Sequence, residues 1–348
     1  KLLGARSRTS QTASDTCPMD PLSQGAVGAA AALIVARPEH ARTAALVGAL
    51  SGMAPDLDVF IRSSTDPLLF LEYHRQFTHS LLFIPVGALI CALLARPLLR
   101  CEITSRTIYG FCFIGYGSHG LLDACTSYGT RLFWPISDFR VAWNNVSVVD
   151  PSFTLPLLIA VGVATYKAKP RIAQLAGVCA VAYLLLGVAQ RERAETMGGE
   201  LAASRGHTPN QVDAKPAFGS LLLWKTLYEH EGRIYVDAVR LALQAKPFPG
   251  QSVERLNLQR DFPWLAEESQ QARDVQRFRW FSSDQLATDP SQNNRIIDVR
   301  YSMVPNRVEA LWGIELDQNA GPAAHVKFVT SRKPSDEQRS EMLRMLID

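Results

Sequence analysis

The sequence has few cysteines and lacks the spacing that disulfide scaffolds and thiolate zinc sites need. Only six of the 348 residues are cysteine, and no two of them form a Cys-x-x-Cys pair. Four of the six lie in or beside apolar runs, namely Cys91, Cys112, Cys125 and Cys179. We therefore interpret these four as small buried side chains and not as disulfide partners or metal ligands.

Several other signals are also missing. The net charge is only +3, and no dense basic stripe alternates with aromatic residues, so we expect no nucleic-acid partner. The chain contains no Gly-x-Ser-x-Gly elbow and no Walker loop. Residues 1–18 are polar and have no apolar core, which is not the pattern of a signal peptide. We interpret them as an extension or a disordered segment that precedes Met19-Asp20-Pro21.

The rest of the chain divides into an apolar half and a polar half. Mean hydropathy over the whole chain is +0.00, but residues 21–190 are rich in Ala, Leu, Val, Ile and Gly, whereas residues 191–348 hold most of the charged side chains. We predict a membrane helical domain over residues 19–195 and a soluble domain over residues 200–348. Glycines near Gly25 and between Gly110 and Gly120 indicate close helix packing.

The apolar half contains six apolar segments of unequal length. A spanning helix needs about 20 apolar residues, and only some of the segments reach that length. We therefore predict a mostly α-helical membrane bundle with four to six transmembrane helices. The segments cover residues 22–36, 43–54, 79–95, 107–125, 153–166 and 172–190.

Basic residues in the connecting loops indicate an orientation. If all six segments span, three of the loops share one side of the membrane, and positive charge marks the cytoplasmic side of short loops. The other side then receives the acidic and histidine-containing loops and the C-terminal half, although Arg191 and Arg193 oppose this orientation. The basic residues of the three loops are Arg37, Arg42, Arg96, Arg100, Arg106, Lys167, Lys169 and Arg171.

The polar half has the pattern of a small α+β domain. Residues 204–210 are typical of a linker or turn, and a closing helix is predicted over residues 335–347, with Ser335 as its N-cap. Alternating, strand-like stretches lie between them. These stretches cover Arg233–Leu243, Gln276–Phe281, Asn294–Met303, Arg307–Leu316 and His325–Thr330.

Histidine and aspartate residues gather at the edges of the apolar segments, where charge is costly unless it pairs, binds an ion or takes part in chemistry. His119 and Asp123 are four residues apart, which places both on one face of a helix, ready to hold one ion. Imidazole and carboxylate suit zinc, and also manganese or iron. The predicted metal ligands are Asp56, Asp58, His74, His79, His119 and Asp123.

Each motif also has an ordinary explanation. A lone histidine at a helix end is usually a polar surface residue, and Pro55-Asp56-Leu57-Asp58 by itself is a helix stop with a solvated turn. Thr78 could simply cap the helix that begins near His79. The metal hypothesis depends on the combination, because all six residues fall at one predicted face. Gln24 and Thr78 are candidates for hydrogen bonds around the site. Asp138, Arg140 and Asp150 are candidates for such hydrogen bonds or for substrate contact, unless their loop is an ordinary interfacial one.

Taken together, these motifs resemble the YdjM family, whose members are described as bacterial inner-membrane, metal-dependent hydrolases. The resemblance covers residues 19–155 well and the rest loosely. The family is distantly similar to zinc-dependent phospholipase C and P1 nuclease, and this kinship implies that His119 and Asp123 ligate zinc. The matching pieces are Met19-Asp20-Pro21-Leu22, Pro55-Asp56-Leu57-Asp58, the stretch from His74 to Leu82, the stretch from His119 to Thr130, and Trp134-Pro135-Ile136-Ser137-Asp138.

One position departs from the family pattern. Members of the family typically carry a histidine in the opening segment, where this chain has Gln24. Glutamine is a poor zinc ligand, so a metal position is weakened, the histidine was never essential, or this copy has lost activity. The sequence leaves all three explanations open.

We expect a membrane-bound metal-dependent hydrolase that cleaves a phosphoester or a lipid-linked ester through a metal-activated water. Asp56 and Asp58 are the candidate catalytic carboxylates, with Asp58 as a possible general base. The site's position suggests a lipid or lipid-linked substrate. We expect a multi-pass protein of the bacterial inner membrane, with the metal site on the non-cytoplasmic side. The alternative is a non-catalytic protein with a structural metal site and a C-terminal domain that binds a partner protein.

Overall fold

A computed structural model describes residues 20–99, 103–331 and 333–347 of the chain. The predicted extension, residues 1–18, lies outside these residues. Seven α-helices form the first part, and each of the six predicted apolar segments coincides with one of them. The helices are α1 (Pro21–Val35), α2 (Ala41–Met53), α3 (Leu69–Tyr73), α4 (Ile84–Ala95), α5 (Ser105–Cys125), α6 (Pro151–Lys167) and α7 (Pro170–Ser204).

Short polar side chains fix where several of these helices begin. Asp20 precedes α1, and its Oδ1 accepts a hydrogen bond from Leu22 N at 3.1 Å. Thr104 caps α5 in the same way, and Asp150 caps α6. Capping satisfies backbone N–H groups that have no partner within the helix. The helix boundaries therefore follow from single residues at the edges of the apolar segments.

The described helices include few candidates for a membrane span. Among the described helices, α7 alone is long and apolar enough to cross a bilayer, and the count becomes two if Leu69–His79 and Leu81–Ala95, bent by 56°, form one broken span. The predicted four to six spans are not confirmed. At about 1.5 Å per residue, α7 exceeds the hydrocarbon thickness of about 30 Å. Its last turns lie beyond the predicted end at residue 190, where Ala194 and Ala202 are buried.

Glycine residues bring α1, α2 and α5 into backbone contact. A Cβ atom at Gly48 would lie 2.5 Å from the carbonyl oxygen of Gly28, and one at Gly115 would lie 2.5 Å from the carbonyl oxygen of Gly48. No side chain fits at these crossings, so the three helices approach as closely as small residues allow. This packing agrees with the helix contacts predicted from the glycines, and it holds the ends of α2 and α5 side by side.

The C-terminal part is an α+β domain, as predicted. One antiparallel sheet has the order β1-β2-β3-β4 with β5 added against β3, and the other has the order β6-β7-β8-β9. The strands are β1 (Val212–Pro216), β2 (Leu223–His230), β3 (Arg233–Leu241), β4 (Ala245–Phe248), β5 (Ser252–Glu254), β6 (Leu286–Asp289), β7 (Gln292–Asp298), β8 (Trp312–Glu315) and β9 (Lys327–Thr330). The domain also contains the helices α8 (Leu258–Asp261), α9 (Gln270–Phe281) and α10 (Asp336–Ile347).

Two secondary-structure predictions and one burial prediction were wrong. Gln276–Phe281 is not a strand, because it is the end of α9, whose buried Val275, Phe278 and Phe281 recur every three residues on one helical face. In addition, no strand was predicted where five strands lie, namely β1, β2, β4, β5 and β6. Cys179 is exposed on α7, whereas Cys112 and Cys125 are buried as expected.

The two halves pack against each other. Leu68 and Leu71, from the segment between α2 and α4, join the same buried apolar cluster as Phe278 and Trp312 of the α+β domain. Helix α7 runs without a break through residues 195–200, between the two predicted domains, and ends at Ser204, where the predicted linker or turn begins. The segment between α2 and α4 and the α+β domain therefore share one hydrophobic core.

Candidate metal centre

Three chain segments supply the histidine and aspartate cluster. Asp56 and Asp58 lie on a 3₁₀ turn, residues 54–60, that follows α2. His79 ends a second short turn, residues 77–79, and His119 and Asp123 lie in the last turns of α5. A Cβ at Gly120 would lie 2.5 Å from the carbonyl oxygen of His79, so the glycine allows the second turn to reach α5.

Four of the side chains form an inner set. Asp56, His79, His119 and Asp123 are all buried, and each offers one ligand atom within 4.8 Å of the others. The Nε2 atom of His79 lies 2.8 Å from Nε2 of His119 and 3.2 Å from Oδ2 of Asp123. Oδ1 of Asp56 lies 3.4 Å from His119 Nε2. Two imidazoles and two carboxylates at such distances form a donor set that suits a zinc-like ion.

The hydrogen bonds of the two imidazoles indicate which nitrogen faces the centre. His119 Nδ1 lies 2.6 Å from the carbonyl oxygen of Gly52, which can only accept, so Nδ1 carries the proton. The Thr78 hydroxyl donates to Asp58 Oδ2 at 2.7 Å and accepts from His79 Nδ1 at 2.9 Å. When both rings are neutral, their Nε2 atoms therefore carry lone pairs that face each other. Histidines that bind metal ions usually donate a hydrogen bond from the other ring nitrogen to a carbonyl or another polar group, as these two do.

The charge of the cluster also suits a cation. Neither carboxylate oxygen of Asp56 has a hydrogen-bond donor among the described residues, nor does Oδ2 of Asp123. Burial alone would raise the pKa of Asp56, but positive charge on His119 and His79 would outweigh it and hold that pKa well below its usual range, and a bound cation would act in the same direction. With neutral imidazoles, three buried carboxylates face one buried guanidinium, that of Arg75. One divalent ion would balance that excess of negative charge.

An outer set shares one residue with the inner set. Asp56, Asp58 and His74 form it, and His74 is its partly exposed member, with 20% of its side chain accessible. Asp58 Oδ1 lies 2.7 Å from His74 Nδ1, and its Oδ2 accepts a hydrogen bond from the backbone of Arg75 at 3.0 Å. Burial opposes ionisation of Asp58, but the His74 and His79 contacts hold its pKa well below the usual range. All six predicted ligands therefore lie in one of two adjoining sets.

The residues predicted to surround the site have different positions. Gln24 is buried in α1, and its Nε2 donates to Asp123 Oδ1 at 2.7 Å, while its Oε1 has no donor among the described residues. Thr78 bridges Asp58 and His79, as described above. Asp138 instead pairs with Arg131 at the surface. Arg140 donates to the backbone oxygens of Tyr128 and Phe281, where the two halves of the chain meet.

Sequence reasoning missed Arg75 as a member of the site. Its Nε lies 3.1 Å from Asp123 Oδ2, with 3% of the side chain exposed, and its guanidinium lies over the ring of Tyr128 at 5.1 Å. Its backbone φ of 62° turns the chain sharply between His74 and Gln76. The only sequence signal was its place inside the His-Arg-Gln-Phe-Thr-His motif, because a buried arginine is not distinguishable from an exposed one by spacing.

Comparison with known proteins identifies the relatives of this chain. One relative is the inner membrane protein YbcI of Escherichia coli (strain K12), which is 32% identical over 105 residues. That match covers 29% of this chain and 60% of the relative, so the chain spans about 60% of the relative's length. No solved structure matches. Residues 19–194, which hold all six residues of the cluster, match the sequence model of the YdjM inner membrane protein family, and the chain belongs to that family.

Proposed function

We propose that this protein is a metal-dependent hydrolase of the bacterial inner membrane that cleaves a phosphoester or a lipid-linked ester. The observation that carries the proposal is the pair of adjoining donor sets joined by Asp56, one closed and one partly open. Structural metal sites are usually closed, whereas catalytic sites keep a position for water or substrate. The partly exposed His74 supplies that opening.

The roles of the side chains follow from their contacts. Asp56, His79, His119 and Asp123 are suited to hold zinc, with manganese or iron as alternatives. Bound there, the ion would supply Lewis acidity and lower the pKa of a coordinated water. Asp58 holds His74 through a 2.7 Å contact, and this pair is the proposed proton acceptor. Thr78 and Gly52 fix the orientation of the two inner imidazoles.

Exposed apolar side chains beside the cluster support a lipid-like substrate. Leu57 lies between the two carboxylates and is 62% exposed, and Phe60 on the same turn is 78% exposed. Ile136 and Phe139, on the loop after α5, are exposed as well. Apolar side chains beside a polar site are expected where a membrane surface meets the protein. We propose that a lipid or lipid-linked ester is cleaved there, on the non-cytoplasmic side of a multi-pass protein.

A second candidate function is a purely structural metal site. The inner set favours it, because four buried protein ligands can complete the coordination of a structural ion without a substrate position. Gln24 also occupies the position where the family pattern has histidine. In this case the ion would hold the turn after α2, the turn at residues 77–79 and α5 together, and the α+β domain would bind another component of the cell envelope.

The decisive experiment measures metal content and turnover on the same purified protein. The full chain is purified in detergent, its bound metal is determined by elemental analysis, and hydrolysis is followed with bis(4-nitrophenyl) phosphate and with phospholipid in mixed micelles. We expect bound zinc and turnover in the native protein, no turnover in Asp58→Asn, and loss of metal in His119→Ala. Asp138→Asn is the matched control, because this carboxylate lies at the surface with its side chain 68% exposed.

Two results would overturn the proposal. Full metal content in both His119→Ala and Asp56→Asn would mean that the ion is held elsewhere. Metal bound at this site, no turnover of either substrate and a large fall in Tm on chelation would instead favour the structural role.

A further inference from the structure

The α+β domain contains a polar cavity that shares no lining residue with the metal centre. The two sheets face each other across an apolar core that includes Leu227 and Val236 on one side and Ile297 and Val299 on the other. Next to the edge strand β1 the core gives way to a cavity of about 450 Å³. Volumes of 300–1,000 Å³ are typical of small-molecule sites. The polar side chains lining the cavity include those of Gln211, Asp213, Lys215, Glu229, Gln285 and Arg300.

Lys215 is the unusual residue of this cavity. It lies directly opposite Lys225 in the register of β1 and β2, so both side chains extend from the same face of the sheet. Lys225 Nζ donates to Ser302 Oγ at 2.8 Å and to the carbonyl oxygen of Arg307 at 3.0 Å. Lys215 is only 7% exposed, and its ammonium has no hydrogen-bond or salt-bridge partner within the described part of the chain.

Asp213, Asp298 and Glu195 attract Lys215 from a distance, but none of the described carboxylates forms a salt bridge with it. The carboxylate of Asp298 already forms a two-point salt bridge with Arg300, at 2.8 and 2.9 Å, and accepts a hydrogen bond from Trp312 Nε1. A smaller cavity of about 40 Å³ adjoins the first and is lined by Lys215, Lys225 and Arg300 among others. Burial lowers the pKa of Lys215, which is the cost of leaving its charge unpaired.

Three acidic side chains also line the cavity, those of Asp213, Glu229 and Glu231, and two of them have polar partners. Asp213 accepts a hydrogen bond from Gln211 Nε2 at 2.9 Å, and Glu229 pairs with Arg255 at 3.2 Å. The cavity therefore combines an unpaired, buried cation with amide groups and carboxylates that can accept hydrogen bonds from hydroxyl or amino groups.

We propose that this cavity is a binding site for a small polar molecule that carries an anionic oxygen group, which Lys215 and Arg300 receive. The anion completes the missing ion pair of Lys215, and charge-assisted hydrogen bonds of this kind are the stronger ones in proteins. The rest of the ligand meets the polar side chains at Gln211 and Gln285. The site is independent of the proposed hydrolase function.

The test uses the full chain in detergent, with phosphate, acetate and glycerol 3-phosphate as separate probes at constant ionic strength against chloride. We expect at least one probe to raise the Tm of the native protein and to give saturable one-to-one binding by titration calorimetry. The best probe reports whether the group is a carboxylate, a free phosphate or an organic phosphate. Lys215→Met should weaken its binding at least tenfold. The matched control is Lys327→Met on β9, whose side chain is 61% exposed, and it should bind as the native protein does.

A second variant guards against misfolding of Lys215→Met. Gln211→Glu places a negative charge at an exposed lining position and should weaken binding of the same probe without changing the fold. The proposal is overturned if no probe stabilises the native protein, or if Lys215→Met and Gln211→Glu both bind it unchanged. If the anion bound only at the metal centre, both variants would bind it as the native protein does, and the proposal would be wrong.

Discussion

The Nε2 atoms of His79 and His119 lie 2.8 Å apart, although the partners of both Nδ1 atoms assign the ring protons to the far side. Two lone pairs at this distance repel each other unless a cation lies with them. The two rings are held in this position by hydrogen bonds at their Nδ1 atoms, to the carbonyl of Gly52 and the hydroxyl of Thr78. The protein therefore keeps a costly arrangement that a metal ion would relieve.

Removing one of these imidazoles should remove the metal. His119→Ala deletes one ligand and leaves the carbonyl of Gly52 without its donor, so we expect at least a tenfold loss of metal affinity, measured by competition with a zinc-binding dye. His40→Ala, between α1 and α2 and remote in sequence from every member of the cluster, is the control and should retain the native affinity. Equal affinities in the two variants would contradict the assignment of His119.

Gln24 offers a test of how complete the site is. Its Nε2 donates to Asp123, while its Oε1 is buried without a donor in the described structure. Gln24→Leu should weaken metal binding and destabilise the protein by about 1–3 kcal/mol, because a buried carboxylate oxygen loses its hydrogen bond. Gln24→His restores the residue of the family pattern and should raise metal affinity above that of the native protein. An affinity for Gln24→His at or below that of Gln24→Leu would show that an imidazole has no place there.

Glycine at the helix crossings should matter more than glycine elsewhere. Gly48→Ala places a methyl group 2.5 Å from the carbonyl oxygen of Gly28 and 2.6 Å from Ala32 Cβ, so α1 and α2 must separate. We expect a loss of about 1–3 kcal/mol, as for other overpacked cores, read as a lower Tm together with weaker metal binding. Gly110→Ala in α5 is the matched control, since no described atom lies within 4 Å of its added Cβ, and it should be neutral or slightly stabilising. Equal Tm values for the two variants would contradict the close-packing account.

Sequence patterns predicted the parts of this structure that depend on local spacing. The pair His119 and Asp123 lies on one helical face because four residues complete about one turn, and the acidic turn after α2 was recognisable from Pro55 and its flanking aspartates. The meeting of the three ligand-bearing segments was predicted from their shared face, but the individual contacts between distant segments were not. Gln24 reaches Asp123 across 99 positions, and glycines support this contact by bringing both α1 and α5 against α2.

Two further features were hidden for other reasons. The end of α9 alternates apolar and polar residues over a few positions, which a strand does as well, and only burial against Trp312 decides between the two. Lys215 looks like any surface lysine in a short polar stretch, because nothing local shows that β1 lies beside Arg300. Burial of a charged side chain is a tertiary property, so it was not predicted for either Lys215 or Arg75.

The contact between the two halves gives a fourth prediction. Arg277 of α9 makes a two-point salt bridge with Asp66, at 2.9 and 2.8 Å, and also contacts Glu72. Arg277→Ala should lower stability by about 1–2 kcal/mol, a value reduced because these groups are partly solvated, and should speed proteolysis of the segment between α2 and α3. Arg273→Ala is the control on the same helix, where the arginine contacts only Gln270 and the backbone of Glu268. Similar proteolysis rates would mean that the halves dock through the apolar core alone.

The last prediction concerns pH and Lys225, which is buried beside Lys215. Burial lowers the pKa of Lys225 from its ordinary value of 10.5 to about 7. Between these two values the unfolded chain holds a proton that the folded chain has lost. Stability should therefore rise as the pH increases from about 7 towards 10.5, by up to about 1.4 kcal/mol per pH unit. Thermal unfolding of the full chain in detergent, compared between native protein and Lys225→Met, measures this difference.

In Lys225→Met the side chain has no proton to lose, so this contribution to the rise should vanish, while Lys327→Met should keep it because Lys327 is mostly exposed. A slope that is the same in all three proteins would mean that Lys225 stays charged in the folded state. In that case Lys225 would add its positive charge to that of Lys215 beside the cavity above pH 7. The native protein should then bind the anion more tightly than Lys225→Met does. Titrating the best anion into native protein and Lys225→Met at pH 9 separates the two cases, since a neutral Lys225 predicts similar binding in both proteins.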